Sequence, residues 1–274
     1  MYIDIKKLKQ KFSNDFFDLM ESSFKISSTN KDISEIKLST MTVVCDLACE
    51  IDLERLTRNF TSPPYPLCSI KKAKTNKECT YTKRGKVKKS FYNQTTITYK
   101  TFTTKSIKVF SNGKLQITGV TSIAETLKTI DMISYILKNS DRSIITGDPD
   151  IHMMKTISIE MINSNFNYAK EIDLKTLRNI MKRDRYDVTY DPDTYPGINA
   201  KIGGISVFIF GTGNVVITGA KTIKGVQKTL ETVTSIFNSN EQINLRNGKG
   251  LKKEKKLITY TDGYNENLYN ACLV

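Results

Sequence analysis

The sequence VFSNGKLQITG at residues 109–119 returns as IFGTGNVVITG at residues 209–219, with Phe, Gly, Ile, Thr and Gly unchanged 100 positions later. Successive side chains of a β-strand point to opposite faces, and both copies alternate aliphatic residues with other types around a glycine-containing turn. The stretch therefore predicts one β-hairpin that occurs twice in the chain.

The repeat continues on both sides of the hairpin. After each hairpin, the apolar spacing predicts a helix, and Ser122 followed by Glu125 is typical of a helix N-terminus. Upstream, EIDLERL at residues 50–56 is answered by EIDLKTL at residues 171–177, with an offset of 121, so the first copy holds 21 additional residues. Such a period is too long for a solenoid, whose repeats run to roughly 20–50 residues, and it predicts two fused halves.

Further strand candidates complete each half, at residues 39–49 and 91–102 in the first and at residues 157–166 and 195–202 in the second. The order is strand, helix, strands, helix, twice over. Hairpin-linked strands with segregated helices predict an α+β fold with an antiparallel sheet.

Each hairpin has one aliphatic face, which we expect the helices to cover. Its residues are Ile107, Val109, Leu115 and Ile117 in the first copy and Val207, Ile209, Val215 and Ile217 in the second. The opposite face mixes aromatic residues with polar ones. Exposed apolar surface of this kind predicts a binding site. The alternative is that an N- or C-terminal segment covers this face and makes it a second core.

Composition narrows the class of protein. The net charge of +14 over 274 residues favours a polyanionic partner, although an AT-rich coding sequence would also enrich lysine. No apolar run is long enough for a membrane span or a signal core, so we expect an intracellular protein with no membrane contact. Five cysteines without a CxxC pair and a single histidine, His152, predict neither a metal nor a cofactor.

The paired hairpins and the step Tyr195-Pro196-Gly197 resemble the core of the TATA-box-binding protein (TBP) family, over residues 38–138 and 155–238. The chain looks like the diverged members encoded by large DNA viruses of eukaryotes. The resemblance implies a TBP-like saddle of two pseudo-symmetric repeats. Its curved antiparallel sheet would meet the DNA minor groove with the concave face and carry the helices on the convex face. Phe pairs would wedge between base steps and kink the duplex.

The resemblance also implies individual roles. Phe110 and Phe210 match the second Phe of each pair, Tyr195 matches the first Phe of the second pair, and Phe91 is the candidate in the first copy. Thr40 and Met161 replace the family's central Asn pair, with Asn163 as a substitute nearby. The full set of residues expected to contact DNA is Thr40, Thr42, Phe91, Lys108, Phe110, Gln116, Thr118, Asn163, Tyr195, Pro196, Lys201, Phe208, Phe210, Val216 and Thr218. We expect the second copy, with its more apolar face, to supply the stronger wedge.

The predicted organisation has five parts. They are an N-terminal helical extension (1–37), a first repeat (38–138) with a basic insertion at about 60–90, a linker (139–154), a second repeat (155–238) and a basic C-terminal tail (239–274). Residues 71–89 hold nine Lys or Arg against one acid, Glu78, and form either a solvated loop or an arm that touches flanking phosphates. The N-terminal extension is expected to pack onto the saddle or to bind a separate partner.

The leading functional prediction is a TBP-like general transcription initiation factor, monomeric and not an enzyme. It would bind double-stranded, A/T-rich promoter DNA, with a TFIIB-like factor and RNA polymerase subunits as candidate partners. It would act in the host nucleus or a cytoplasmic viral factory, with packaging in the virion also considered. One alternative is a scaffold that recruits factors or polymerase with weak or no DNA binding. The other is a metal-dependent nuclease that uses Asp148 and Asp150, or Asp191 and Asp193.

Overall fold

A computed structural model describes residues 4–12, 31–60, 67–72, 94–100, 103–139 and 142–245 of the protein. The chain forms two compact units. Unit 1 comprises Met1–Met20 and Met41–Ile159, and unit 2 comprises Glu21–Thr40 and Glu160–Val274.

The sheet of unit 1 is antiparallel, with strand order β3-β4-β5-β6-β1, and β2 pairs separately with β7. Its elements in chain order are α1 (Ile5–Lys11), β1 (Lys37–Asp46), β2 (Glu50–Ile51), α2 (Leu53–Arg58), β3 (Leu67–Lys72), β4 (Gln94–Lys100), β5 (Thr104–Phe110), β6 (Lys114–Val120), α3 (Ile123–Lys138) and β7 (Ile145–Thr146). Short 3-10 helices cover Arg142–Ile144 and Ile151–Met153. Residues 37–40 of β1 are counted with unit 2.

Unit 2 repeats this plan, with antiparallel strand order β8-β12-β11-β10-β9. Its elements are β8 (Thr156–Asn167), α4 (Leu174–Arg183), β9 (Asp187–Thr189), β10 (Gly197–Ile202), β11 (Ile205–Phe210), β12 (Asn214–Ala220), α5 (Ile223–Asn238) and a 3-10 helix at Glu241–Ile243. Residues 156–159 of β8 are counted with unit 1. The strands β3 and β9 at the sheet edges were not predicted from the sequence.

The hairpin turns use glycine for the same two reasons in both units. Gly113 and Gly213 have φ angles of 75° and 81°, in the left-handed region that favours glycine. A Cβ at either position would overlap a backbone carbonyl of an adjoining segment, that of Cys49 or of Tyr168. The carbonyls of the two glycines accept the N–H of Leu47 at 3.1 Å and of Tyr168 at 2.8 Å, so the duplication extends to single hydrogen bonds.

The repeated EIDL sequence starts a helix at its last residue. Asp52 and Asp173 are the N-caps of α2 and α4, and each carboxylate accepts two backbone N–H groups of the first turn. The residues before the cap run along the neighbouring hairpin, where the N–H of Ile51 reaches the Ser111 carbonyl at 2.8 Å and that of Ile172 reaches the Gly211 carbonyl at 2.9 Å.

Both long helices cover the aliphatic face of their own sheet. Helix α3 contacts β6 and α5 contacts β12, and all eight aliphatic hairpin residues predicted to be buried have no exposed surface. Burial of each such side chain contributes about 1.5–3 kcal/mol. The prediction of one covered aliphatic face in each copy is therefore confirmed.

Two described parts of the N-terminal extension pack on different units. Residues 31–37 belong to unit 2, where Ile33 forms a β-bridge with Tyr168. Residues 4–12 pack on unit 1. Leu8 of α1 is buried, and Lys11 Nζ donates to the His152 carbonyl at 3.1 Å. No helix among the described ranges is long and apolar enough to cross a membrane. The domain bounds given above stay a prediction.

Candidate nucleic-acid interface

The face of unit 2 opposite α5 carries an ordered grid of side chains. Strand alternation places Phe208 and Phe210 of β11 on this face, which we call the open face of unit 2, and both are partly exposed. Phe208 lies between Asn199 of β10 and Val216 of β12, and Val216 pairs onward with Asn165 of β8. The apolar centre of the grid is therefore bordered by two amides.

Three aromatic rings meet at one end of this grid. The Tyr195 ring lies 5.7 Å from the Phe208 ring in an edge-on arrangement and 5.9 Å from the Phe210 ring at a tilt of 56°. Tyr195 is 40% exposed, and the neighbouring Pro196 is exposed as well. We call Tyr195, Phe208 and Phe210 the aromatic cluster. The structure brings together three residues that the sequence assigned to DNA contact.

A polar chain occupies the next rows of the grid. Thr218 donates its hydroxyl to Asn163 Oδ1 at 2.5 Å, and Asn163 Nδ2 donates to Thr40 Oγ1 at 3.0 Å. The Thr218 hydroxyl oxygen also lies 3.6 Å from Sδ of the neighbouring Met161. In the same row, Lys201 Nζ donates to Ser206 Oγ at 2.6 Å. Hydroxyl and amide groups therefore replace the apolar centre on this side of the face.

The corresponding open face of unit 1, opposite α3, is more polar. Phe110 is partly exposed at its end, but Lys108 and Gln116 occupy the row that holds Phe208 and Val216 in unit 2. Lys108 also pairs with Thr96 of β4, and Gln116 pairs with Val44 of β1. This register confirms that the two faces differ in polarity.

The threonines of unit 1 differ in exposure. Thr118 is exposed, whereas Thr42 is only 5% exposed, and their hydroxyl oxygens are 3.4 Å apart. Thr42 pairs with Thr118 as Asn163 pairs with Thr218, so Thr42 and Asn163 hold equivalent positions. Thr42 could contact DNA only if the neighbouring side chains moved to expose it.

Phe91 lies outside the described residues, as do residues 73–90 of the basic insertion. The assignment of all fifteen residues to DNA contact stays a prediction.

The described residues offer little for metal binding or catalysis. No group of three or more His, Cys, Asp or Glu side chains in that part of the chain is placed to hold a metal ion. Burial raises the pKa of Cys45, and it raises the pKa of Cys49 to about 11, so both thiols stay protonated at neutral pH. Asp191 and Asp193 lie in one turn before Tyr195, where Asp191 accepts the Thr194 hydroxyl at 2.6 Å.

Sequence reasoning missed three polar members of the grid, Asn165, Asn199 and Ser206. The signal was available, because period-2 alternation carried two residues beyond Phe208 reaches Ser206. Asn165 and Asn199 follow in the same way from the predicted strands at residues 157–166 and 195–202.

Comparison with known proteins places this geometry in a family. The profile of the family described as "Transcription factor TFIID (or TATA-binding protein, TBP)" matches residues 156–240. A "TATA-box-binding protein-like" protein of Acanthamoeba polyphaga mimivirus is 29% identical over 250 residues, covering 78% of this chain and 68% of that protein. The TATA-box-binding protein of Methanosphaera stadtmanae is 30% identical over 135 residues, covering 47% of this chain and 68% of the relative.

The fold is shared with a solved structure of Methanococcus jannaschii TBP. That likeness has a TM-score of 0.54 and 20% identity and covers 75% of this chain and 99% of the archaeal chain. The predicted α+β class with a TBP-like fold is thereby confirmed. From the sequence relatives and the shared fold together, the chain belongs to the TATA-box-binding protein family.

Proposed function

We propose that this chain is a transcription initiation factor that binds double-stranded DNA in the minor groove and bends it with aromatic wedges. The observation that carries the proposal is the aromatic cluster, which leaves Tyr195 exposed on the sheet face opposite α5. Family membership supports the same reading.

The rings of the aromatic cluster stay partly in contact with water in the free protein. Apolar side chains that stay in water on a folded surface usually mark an interaction site. A ring inserted between base steps leaves water and unstacks the bases, at a cost of a few kcal/mol per step, which the wider contact with bent DNA offsets. The aromatic cluster of unit 2 has the chemistry for such an insertion.

The polar rows suit the floor of the minor groove. Adenine N3 and thymine O2 are acceptors there, whereas guanine adds an N2 donor. In unit 2, Asn163 Nδ2 and the hydroxyl of Thr40 supply donors. In unit 1, the Thr118 side chain is exposed. We therefore propose a preference for A/T-rich promoter sequence.

The positive charge of the protein supports DNA binding that does not depend on base sequence. The net charge of +14 favours phosphate contacts, and Lys108 places a cation on the open face of unit 1. The proposed wedge is consequently stronger in unit 2, while unit 1 contributes more electrostatic contact.

The proposal includes no catalytic step and no cofactor. The protein would act as a monomer, with a TFIIB-like factor and RNA polymerase subunits as protein partners. It would work inside the cell, in the nucleus or in a viral factory. The similar protein of a mimivirus supports the latter setting.

A scaffold that recruits transcription proteins without binding DNA is the second candidate. The observation in its favour is the pair Lys108 and Gln116, which removes apolar contact surface from unit 1.

Binding of a fluorescently labelled A/T-rich duplex, followed by anisotropy, separates the two candidates. We expect wild type to bind, and Phe210→Ala to weaken binding by about tenfold, or roughly 1.4 kcal/mol. Tyr135→Ala is the matched control, because Tyr135 is an exposed aromatic residue on α3 and not on an open face. Equal affinities for wild type and Phe210→Ala, or no binding by either, would favour the scaffold.

A further inference from the structure

The loop before β10 folds around one carboxylate. Asp191 Oδ2 accepts the Thr194 hydroxyl at 2.6 Å, and Asp191 Oδ1 accepts the backbone N–H of Asp193 at 3.3 Å. The carbonyl of Asp191 accepts the N–H of Thr194 at 3.1 Å and of Tyr195 at 2.8 Å. Asp side chains that bond the backbone two residues on stabilise turns. One residue thus ties down the three that follow Pro192.

The last of these bonds fixes the backbone of Tyr195, whose ring belongs to the aromatic cluster. The ring lies against both Phe208 and Phe210. Ring pairs in these tilted and edge-on geometries attract one another beyond simple burial. The turn and the two phenylalanines therefore hold Tyr195 from opposite ends.

Gly197 provides the floor beneath the cluster. It pairs with Phe210 across the strands, and a Cβ at Gly197 would lie 3.0 Å from both Cδ1 and Cε1 of the Phe210 ring. The Phe210 ring rests directly on the glycine backbone. In unit 1 the residue opposite Phe110 is Gln94, which offers no such seat.

We propose that Asp191 is a positioning residue that holds Tyr195 in the aromatic cluster before DNA arrives, so that unit 2 presents a preformed wedge. The proposal rests on the proposed function, in which these rings enter DNA. A side chain that is already ordered loses less conformational freedom on binding, and this loss otherwise weakens affinity.

Asp191 affects DNA affinity in two opposite ways, through its charge and through its positioning of Tyr195. A carboxylate beside a DNA-binding surface repels phosphates, so loss of the charge alone strengthens binding. Loss of the turn frees Tyr195 and weakens binding. Substitutions that remove the charge with and without the turn therefore separate the two effects.

The design uses three variants of equal charge. Asp191→Asn retains an acceptor oxygen for the Asp193 N–H, whereas Asp191→Ala retains none. Asp193→Ala removes the same charge from the same loop and keeps the backbone N–H that it contributes to the turn. Each is made in the wild-type chain and in a Tyr195→Trp chain, which carries a single tryptophan because the protein has none.

Two readouts follow. In the free protein, time-resolved anisotropy of the introduced tryptophan reports the local mobility of the wedge. We expect Asp191→Ala to raise that mobility and Asp191→Asn and Asp193→Ala to leave it low. On an A/T-rich duplex, Asp191→Ala should bind about fivefold more weakly than Asp191→Asn, corresponding to roughly 1 kcal/mol for ordering one side chain.

The proposal is overturned if Asp191→Ala leaves the tryptophan as immobile as Asp191→Asn does. It is equally overturned if both variants bind DNA with the same strengthened affinity, because only charge would then matter. If the wild-type chain binds no DNA, the proposed function fails, while the mobility of the free protein still decides the role of Asp191.

Discussion

The buried ion pair of unit 1 gives a stability prediction that the structure makes quantitative. Lys105 lies on the covered face of β5 with 1% of its side chain exposed, and its Nζ is 2.5 Å from Glu125 Oε1. The same ammonium is 3.1 Å from Thr103 Oγ1 and 5.5 Å from the centre of the Tyr99 ring. Glu125 is 25% exposed and also accepts the N–H of Thr121 at 2.6 Å. The equivalent residues of unit 2 are Ile205 and Gly225, so this pair is peculiar to unit 1.

The two partners should differ in what their removal costs. Glu125→Gln leaves a buried ammonium without its carboxylate, and breaking a buried pair in this way costs about 3–5 kcal/mol of unfolding free energy. We expect about 3 kcal/mol, because the Thr103 hydroxyl and the Tyr99 ring still face the charge. Lys105→Met leaves a carboxylate that reaches water and keeps its Thr121 bonds, so we expect only about 1–2 kcal/mol.

Urea unfolding followed by circular dichroism measures wild type, both single variants and the double variant. The double variant should lose less stability than the sum of the single losses, by about 1–2 kcal/mol, because the partners are in contact. A Glu125→Gln protein as stable as Lys105→Met, or losses that add within about 0.5 kcal/mol, would refute this reasoning.

The pair also predicts a pH dependence. Burial raises the pKa of Glu125, but hydrogen bonds from Lys105 and Thr121 together with the Lys105 charge outweigh burial and hold the pKa below its ordinary value. A carboxyl with a lowered folded pKa stabilises the protein above its unfolded pKa of about 4.3, and this stabilisation is lost as the pH falls through the folded value. The stability difference between wild type and Glu125→Gln should therefore be complete at neutral pH and shrink on acidification.

Three further predictions concern the turn, the wedges and the insertion. Gly213→Ala should cost more than about 2 kcal/mol in urea unfolding, because it adds a clash to a positive φ, whereas Gly203→Ala, with open space around it, should cost only about 1 kcal/mol; equal losses would show that the clash is relieved. In a mobility assay, Phe210→Ala should weaken DNA binding more than Phe110→Ala, and equal effects would contradict the difference between the open faces. Deletion of residues 73–89, which leaves β3 intact, should reduce the salt dependence of DNA affinity if the insertion touches phosphates; an unchanged slope would identify it as a solvated loop.

Local periodicity made the hairpins and long helices predictable from sequence. The alternation around Gly113 and Gly213 predicted the buried and open faces correctly. A shift of one residue along either strand would have turned its aliphatic side chains to the open face, so the alternation allows only one assignment. The edge strand β9 escaped prediction because its three residues are too few to show a period. The role of Asp191 in the turn was not predictable, since the sequence does not reveal which N–H groups a carboxylate accepts.

Contacts between distant parts of the chain determined features that the sequence pattern does not reveal. Lys105 sits on the covered face by alternation, but its burial depends on Glu125 from a later helix. The register of β4 also changes which residue of the first copy corresponds to Tyr195. Gln94 stands opposite Phe110 as Gly197 stands opposite Phe210. Counting back two residues, as Tyr195 precedes Gly197, gives Tyr92 rather than Phe91, and both lie outside the described residues.

The central claim, that aromatic rings of this chain bend DNA, is tested most directly by fluorescence resonance energy transfer between dyes at the two ends of a short A/T-rich duplex. Wild-type protein should raise the transfer efficiency as the ends approach, and saturating Phe210→Ala should raise it distinctly less. A duplex that stays straight with wild-type protein bound would contradict the account.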